Sequence, residues 1–338
     1  MTPSKAFISG CKGLTLTDDE IAFFRDERPW GFILFGRNIG DAAQITDLVA
    51  ALRDSVGRPD APVLIDQEGG RVQRIRPPLV PSYPNAAAIG ALYRLDPEKG
   101  LRAAWLMSRL HAFDLTRFGI SVDCLPVLDV AAPGVHDVIG NRAYASDPDV
   151  VAALGQAAAD GLKAGDMLPI MKHMPGHGRA LVDSHHDLPV VTVGVEELAA
   201  SDFRPFMALK NEKMAMSAHI VFTAIDPARP ATTSPIVVDT IIRGLIGFDG
   251  LLMSDDVSMN ALAGTIGERA RDIIDAGLDI ILHCHGIMEE MVQVAAAAPE
   301  LSGDRQRRAE AALSAFTPAD SSDEQALRAE FADLLPIA

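Results

Sequence analysis

Short apolar runs recur along the chain, with helix-like segments between them. Phe32-Ile33-Leu34-Phe35, Pro62-Val63-Leu64-Ile65, Ile120-Ser121-Val122-Asp123, Leu168-Pro169-Ile170-Met171, Met214-Ala215-Met216-Ser217-Ala218, Leu251-Leu252-Met253 and Asp279-Ile280-Ile281-Leu282 are too short for helices and do not alternate apolar with polar positions. They are read as strands buried on both faces. Ala6-Phe7-Ile8-Ser9 is an eighth candidate. Segments 42–56, 97–118, 148–164 and 287–298 carry apolar residues at three- and four-residue spacing, often alanine-rich, as helices packed on a sheet do. Strands alternating with helices imply a parallel sheet, and 338 residues suit a single (β/α)8 barrel of the TIM type, regular or irregular, better than two nucleotide-binding halves.

No Pro/Ser-rich linker divides the chain and no long repeat is visible, so residues 1–338 are read as one domain. Residues 301–338 are expected to form C-terminal surface helices that close the barrel, with the acidic cluster Asp320, Asp323 and Glu324 on a solvated face.

Composition narrows the function classes. The net charge of −16 argues against nucleic-acid binding, which needs a basic face. Hydrophobic residues at 48% and charged residues at 22% are enough for a large core and leave little room for disorder. Cys11, Cys124 and Cys284 form no CxxC pair, so they are read as inert, buried thiols and not as a disulfide framework or zinc ribbon. No signal peptide or membrane span is recognisable, and the cytoplasm is the expected location.

In a barrel, chemistry collects where the C-terminal ends of the strands open into one mouth. Three predicted strands run into unusual polar sequence there: 62–65 into Asp66-Gln67-Glu68-Gly69-Gly70-Arg71-Val72-Gln73-Arg74, 168–171 into Lys172-His173-Met174-Pro175-Gly176-His177-Gly178, and 251–253 into Ser254-Asp255-Asp256. The second continues to Asp183-Ser184-His185-His186 and holds four of the nine histidines. His173 and His177 have the spacing of a zinc pair on a helix, but Pro175 and Gly176 oppose a helix and no HExxH glutamate is present. The segment is read instead as a mobile loop with Gly176 and Gly178 as flexible points. Asp183 is near enough in sequence to orient His185 for proton exchange near neutral pH. Surface histidines bonded to loop backbone are the plainer alternative. Of the adjacent acids, one is a candidate nucleophile and the other a brace, since neighbouring strand residues point oppositely; Asp256 also suits a helix N-cap.

These segments together resemble glycoside hydrolase family 3, and more narrowly its single-domain bacterial β-N-acetylglucosaminidases (β-N-acetylhexosaminidases) of peptidoglycan recycling. Gly36-Arg37-Asn38, Gly140-Asn141-Arg142, Ala218-His219 and Gly247-Phe248-Asp249-Gly250 extend the resemblance across roughly residues 6 to 300. Met174 and Val257 depart mildly from the pattern, which has Phe and Leu there. The resemblance implies Asp255 as nucleophile, His185 as general acid/base and Asp183 as its partner. It implies sugar contacts from Asp66, Arg74, Arg142, Lys172 and His173. The implied reaction is retaining hydrolysis of N-acetylglucosamine β-linked to 1,6-anhydro-N-acetylmuramic acid, with or without peptide, through a covalent glycosyl-aspartate and with no cofactor or metal. The expected partner is this small carbohydrate; no nucleic acid, membrane or protein partner is inferred. A phosphorylase, which would use phosphate in place of water, and a non-catalytic sugar-binding protein are the alternatives.

Overall fold

The computed structural model describes residues 4–132, 139–180 and 188–335. Its main sheet is wholly parallel and runs in the order Leu168–Pro169, Val122–Asp123, Val63–Ile65, Pro29–Leu34, Lys5–Ser9, Ile280–His283, Leu251–Asp256, Met214–Ser217, Met171–Met174. The first and last members are consecutive pieces of one extended segment, with only Ile170 between them. The order therefore returns to its start, and the nine pieces form a barrel of eight staves. All seven predicted apolar runs, and the eighth candidate, lie on staves.

Of the boundaries that differ from the sequence reading, two bear on the mouth. The run at 168–171 continues as strand through Met174, and the run at 251–253 through Asp256. Lys172, His173, Asp255 and Asp256 are thus strand residues and not members of following loops. Apolar patterning ends a strand where polarity begins, whereas backbone pairing with neighbours, Ala215 with Met171 and Asp256 with Leu282, carries it further.

The predicted helices appear as Ala42–Ser55, Pro97–Thr116, Pro148–Lys163 and Met288–Ala297. Each of the first three begins at an aspartate whose side chain accepts a first-turn N–H: Asp41, Asp96 and Asp147. In Ala42–Ser55 the buried positions Ile45, Leu48, Val49 and Leu52 fall on one face. Gly161 lets Pro148–Lys163 approach Pro97–Thr116 closely, since a Cβ there would stand 2.3 Å from the Trp105 carbonyl oxygen.

The barrel interior is a separate apolar core that includes Ile8, Trp30, Ile33, Leu64, Ile170, Met216 and Met253. Helix Gly303–Leu313 plugs its lower end, adding Ala309 and Ala312 to that core. Arg308 reaches Asp279 at 3.0 Å, and Arg305 donates to the carbonyls of Leu278 and Ile274. With its lower end sealed, the barrel opens only at the C-terminal ends of its strands. Helix Glu324–Leu334 packs outside, burying Phe331.

The acidic cluster of the C-terminal segment is not simply solvated. Asp320 pairs at 2.8 Å with Arg109, a buried guanidinium; Asp323 caps helix Glu324–Leu334; Glu324 pairs with Arg117 and Arg328. Arg109 and Arg117 come from the distant helix Pro97–Thr116 and its C-terminal cap and so leave no local trace in the sequence, whereas Arg328 is the i+4 neighbour of Glu324. The three thiols are buried, as expected. Among the described residues no helix is long and apolar enough to cross a membrane.

Candidate active site

The open end of the barrel holds a cavity of about 690 Å³. All five sugar-binding candidates, Asp66, Arg74, Arg142, Lys172 and His173, line it, together with Asp255. Beyond strand Val63–Ile65 the chain folds into a small hairpin, Gln67–Gly69 against Val72–Gln73. The hairpin turns Glu68 inward and brings Arg74 back beside Asp66. Gly69, at φ +87°, allows the chain to pass within contact of the Pro84 carbonyl, where a Cβ would stand 2.3 Å from the oxygen.

Lys172 joins the hairpin to the stave two places round the barrel. Its Nζ lies 2.8 Å from Asp66 Oδ1 and 2.6 Å from Glu68 Oε1. Arg74 Nη2 takes the other oxygen of Asp66 at 2.9 Å, and Arg142 grips Glu68 through two bonds of 2.8 Å. Burial works against charge on Glu68, yet Arg142 and Lys172 hold its carboxyl down to about 2. Burial likewise opposes charge on Asp66, and Lys172 with Arg74 keeps that carboxyl far below the usual range. Lys172 is pushed up by the same partners against its own desolvation. Two acids and three bases form a rigid lattice of fixed charge, whose exposed edges can bond sugar hydroxyls.

His173 is fixed by a residue outside the predicted set. Asp129, fully buried, places Oδ2 2.7 Å from His173 Nδ1, while its Oδ1 accepts the backbone N–H of His173 at 3.2 Å and of His177 at 2.7 Å. Burial opposes its charge, but His173 and His177 hold its carboxyl down to about 2. His177 packs edge-on to His173, and burial, with His173 beside it, drives its imidazole down to about 4. Asp129 ends the apolar stretch Leu125-Pro126-Val127-Leu128, the same signal that singled out the other strand ends. The sequence reading missed it because no second unusual residue accompanies it.

Asp255 and Asp256 both line the cavity, the strand register shifting between Met253 and Asp256, but their carboxylates have different partners. Asp255 lies on the cavity floor and accepts the N–H of Asp256 at 2.8 Å. Burial raises its pKa, but His219, His173, that N–H and Lys172 outweigh burial and hold the carboxyl below its ordinary value. His219 is itself buried, and desolvation lowers its pKa. Its Nε2 lies 3.0 Å from the Asp256 carbonyl oxygen, so Nε2 carries the proton, and Nδ1 faces Thr232 Oγ1 at 2.8 Å. Asp256 caps no helix. Its Oδ1 accepts from the N–H and hydroxyl of Ser258 in a turn, and the next helix, Ile266–Asp275, is capped by Thr265.

Asp183 and His185 lie outside the described residues. The segment leading to them is packed, contrary to the expectation of flexible glycines. Gly178 has no room for a side chain, since a Cβ would fall 1.8 Å from the Val130 carbonyl oxygen, and Gly176 adopts φ +146° against Asp202. Both glycines stand where backbones approach closely. Arg179 then pairs with Asp202 at 2.8 Å and Glu197 at 2.7 Å. Met174 and Val257, the two departures from the family pattern, are fully buried apolar residues.

Ionised acids, fixed cations and neutral imidazoles around an open barrel mouth define a carbohydrate-processing site. Residues 17–312 match the family model described as glycosyl hydrolase family 3 N terminal domain, and the chain belongs to that family. It is a glycoside hydrolase of the β-hexosaminidase type. A beta-hexosaminidase from Xylella fastidiosa (strain 9a5c) is 38% identical over 281 residues, covering 82% of each chain. One from Methylococcus capsulatus is 39% identical over 277 residues, 81% of this chain and 80% of the relative. Among solved structures, NagZ from Neisseria gonorrhoeae in complex with N-trifluoroacetyl-D-glucosamine superimposes with a TM-score of 0.87 at 31% identity, over 98% of this chain and 97% of that one.

Proposed function

We propose that this chain is a retaining β-N-acetylglucosaminidase of the cytoplasm. Its substrates are β-linked muropeptide fragments, N-acetylglucosaminyl-1,6-anhydro-N-acetylmuramic acid with or without peptide, from which it removes the terminal N-acetylglucosamine. The observation that carries the reading is the position of Asp255: a half-buried carboxylate held in its charged form in the cavity that Asp66, Lys172, Glu68 and Arg142 also line. The glucosamine derivative bound to the gonococcal relative supports the choice of sugar.

In the first step an Asp255 oxygen bonds to the anomeric carbon while the glycosidic bond breaks. Protonated His185 gives its proton to the departing oxygen. In the second step water attacks the same carbon, His185 takes the proton from that water, and Asp255 leaves as a free carboxylate. Two inversions restore the β configuration. Asp183 orients the His185 ring and stabilises its charged form. Asp66 accepts from two neighbouring sugar hydroxyls, Arg74, Arg142 and Lys172 donate to others, and His173, its Nδ1–H given to Asp129, offers Nε2 as an acceptor. Low proton affinity suits Asp255 to both roles, as attacking group and as leaving group.

A fluorosugar that traps the glycosyl-enzyme tests the assignment. Mass spectrometry of the digested adduct is expected to find the label on Asp255, and Asp255→Ala is expected to abolish turnover while still binding sugar. A label on Asp256, or full activity in Asp255→Ala, overturns it.

A further inference from the structure

One flank of the cavity, beyond strands Leu251–Asp256 and Ile280–His283, takes no part in the reaction described above. His285 lines it, with its side chain 47% exposed. Its Nδ1 lies 3.2 Å from Glu290 Oε2 on helix Met288–Ala297. A carboxylate only accepts, so in the neutral ring Nδ1 carries the proton and Nε2 presents a lone pair. The buried His283 places its Nε2 2.9 Å from the same oxygen, so two rings pin Glu290 in place. Glu290 thereby fixes the orientation of His285.

Asp256 stands next to this ring. Its Oδ1 is saturated by the Ser258 N–H at 3.1 Å, the Ser258 hydroxyl at 2.5 Å and the Cys284 N–H at 3.2 Å. Its Oδ2 lies 3.9 Å from His285 Nε2, too far for a bond between them. Two oriented acceptors therefore stand side by side in the cavity wall. The pair and the lattice stand on different staves: Asp256 ends strand Leu251–Asp256 and His285 follows its neighbour Ile280–His283, whereas Lys172 lies on the stave beyond Met214–Ser217 and Asp66 follows Val63–Ile65.

We infer that His285 Nε2 and Asp256 Oδ2 are the acceptor pair for the leaving part of the substrate, which must present hydrogen-bond donors there. This rests on the hydrolase reading above and deepens it: the terminal sugar occupies the charged lattice, and a second residue with hydroxyl or amide N–H groups, such as an N-acetylated sugar, occupies the pair. An aglycone without donors strips water from both acceptors and returns nothing, which is how a polar site discriminates. A carboxylate placed at this point is repelled by Asp256. Glu290 and His283 act through His285 and are positioning residues.

The test compares kcat/KM on three substrates: di-N-acetylchitobiose, whose leaving sugar is rich in donors; cyclohexylmethyl β-N-acetylglucosaminide, an alcohol leaving group with none; and an aryl β-N-acetylglucosaminide. In His285→Leu the disaccharide-to-cyclohexylmethyl ratio is expected to fall about tenfold, chiefly through the disaccharide KM. His285→Gln, whose amide oxygen still accepts, recovers part of the ratio, and Glu290→Ala lowers it less. Equal loss on all three substrates overturns the inference, as does no change in the ratio. Loss on both alcohol leaving groups but not the aryl one also overturns it, because it marks proton transfer in place of recognition. If the unaltered enzyme hydrolyses none of the three, the hydrolase reading itself fails, which is a separate result.

Discussion

Asp129 and His173 are 44 residues apart in sequence, yet Asp129 Oδ2 stands 2.7 Å from His173 Nδ1 in the barrel mouth. The carboxylate requires Nδ1 to carry a proton, so Nε2 is the nitrogen left to work in the cavity. The same aspartate binds the His177 N–H and so shapes the chain as it leaves the strand.

Asp129→Ala is expected to cost stability as well as activity. Removing the shared acceptor leaves the His173 ring N–H and the backbone N–H groups of His173 and His177 unsatisfied, a loss of about 1–3 kcal/mol for a buried donor. Urea unfolding of the variant reads the stability. A variant as stable as the unaltered chain would show that His173 does not depend on Asp129.

Acid should loosen the mouth before it unfolds the rest. Glu68 and Asp129 are both held down to about 2 in the folded chain, from ordinary values of 4.5 and 3.8. A lowered folded pKa means that the stabilisation is complete above the ordinary value and is lost as pH falls from about 4.5 toward about 2. Melting temperatures measured across that window are expected to fall steeply, and Glu68→Gln is expected to flatten the slope while lowering stability at neutral pH. An unchanged slope in the variant would rule Glu68 out as a source of the acid sensitivity.

If His185 is the proton donor, His185→Ala is expected to slow glycosides with poor leaving groups, such as natural sugars, far more than aryl glycosides whose phenolate departs unaided. Asp183→Ala should follow the same pattern more weakly. Equal loss on both substrate types in a folded variant moves the acid/base role elsewhere in the mouth, with Glu68 first to be examined.

The two displacements balance with Asp255, His185 and water alone. Prolonged treatment with EDTA is therefore expected to leave the rate unchanged, and added phosphate to yield no N-acetylglucosamine 1-phosphate. Activity lost to EDTA and restored by zinc would bring back a metal site around His173, His177 and His185. Formation of the sugar phosphate would make the enzyme a phosphorylase.

What the sequence determined by itself is local. Strands buried on both faces are short unbroken apolar runs, so all eight staves of the barrel were legible, and apolar residues at three- and four-residue spacing marked helices Pro97–Thr116 and Pro148–Lys163. The residue types at strand ends marked Asp66, Lys172, His173 and Asp255 as members of one mouth, because a parallel barrel brings every such end together. Only the tertiary structure decided who pairs with whom. Lys172 bridges Asp66 and Glu68 across 106 residues of sequence in the first case, Asp129 locks His173, and Glu290 ties His283 to His285. It also showed that Gly178 serves a close backbone contact, and that Asp320 neutralises Arg109. Hydrophobic periodicity depends on neighbours three or four residues away and survives in the sequence. An ion pair depends on a distance in space between residues whose positions are set by the closure of the barrel, and no local pattern records it.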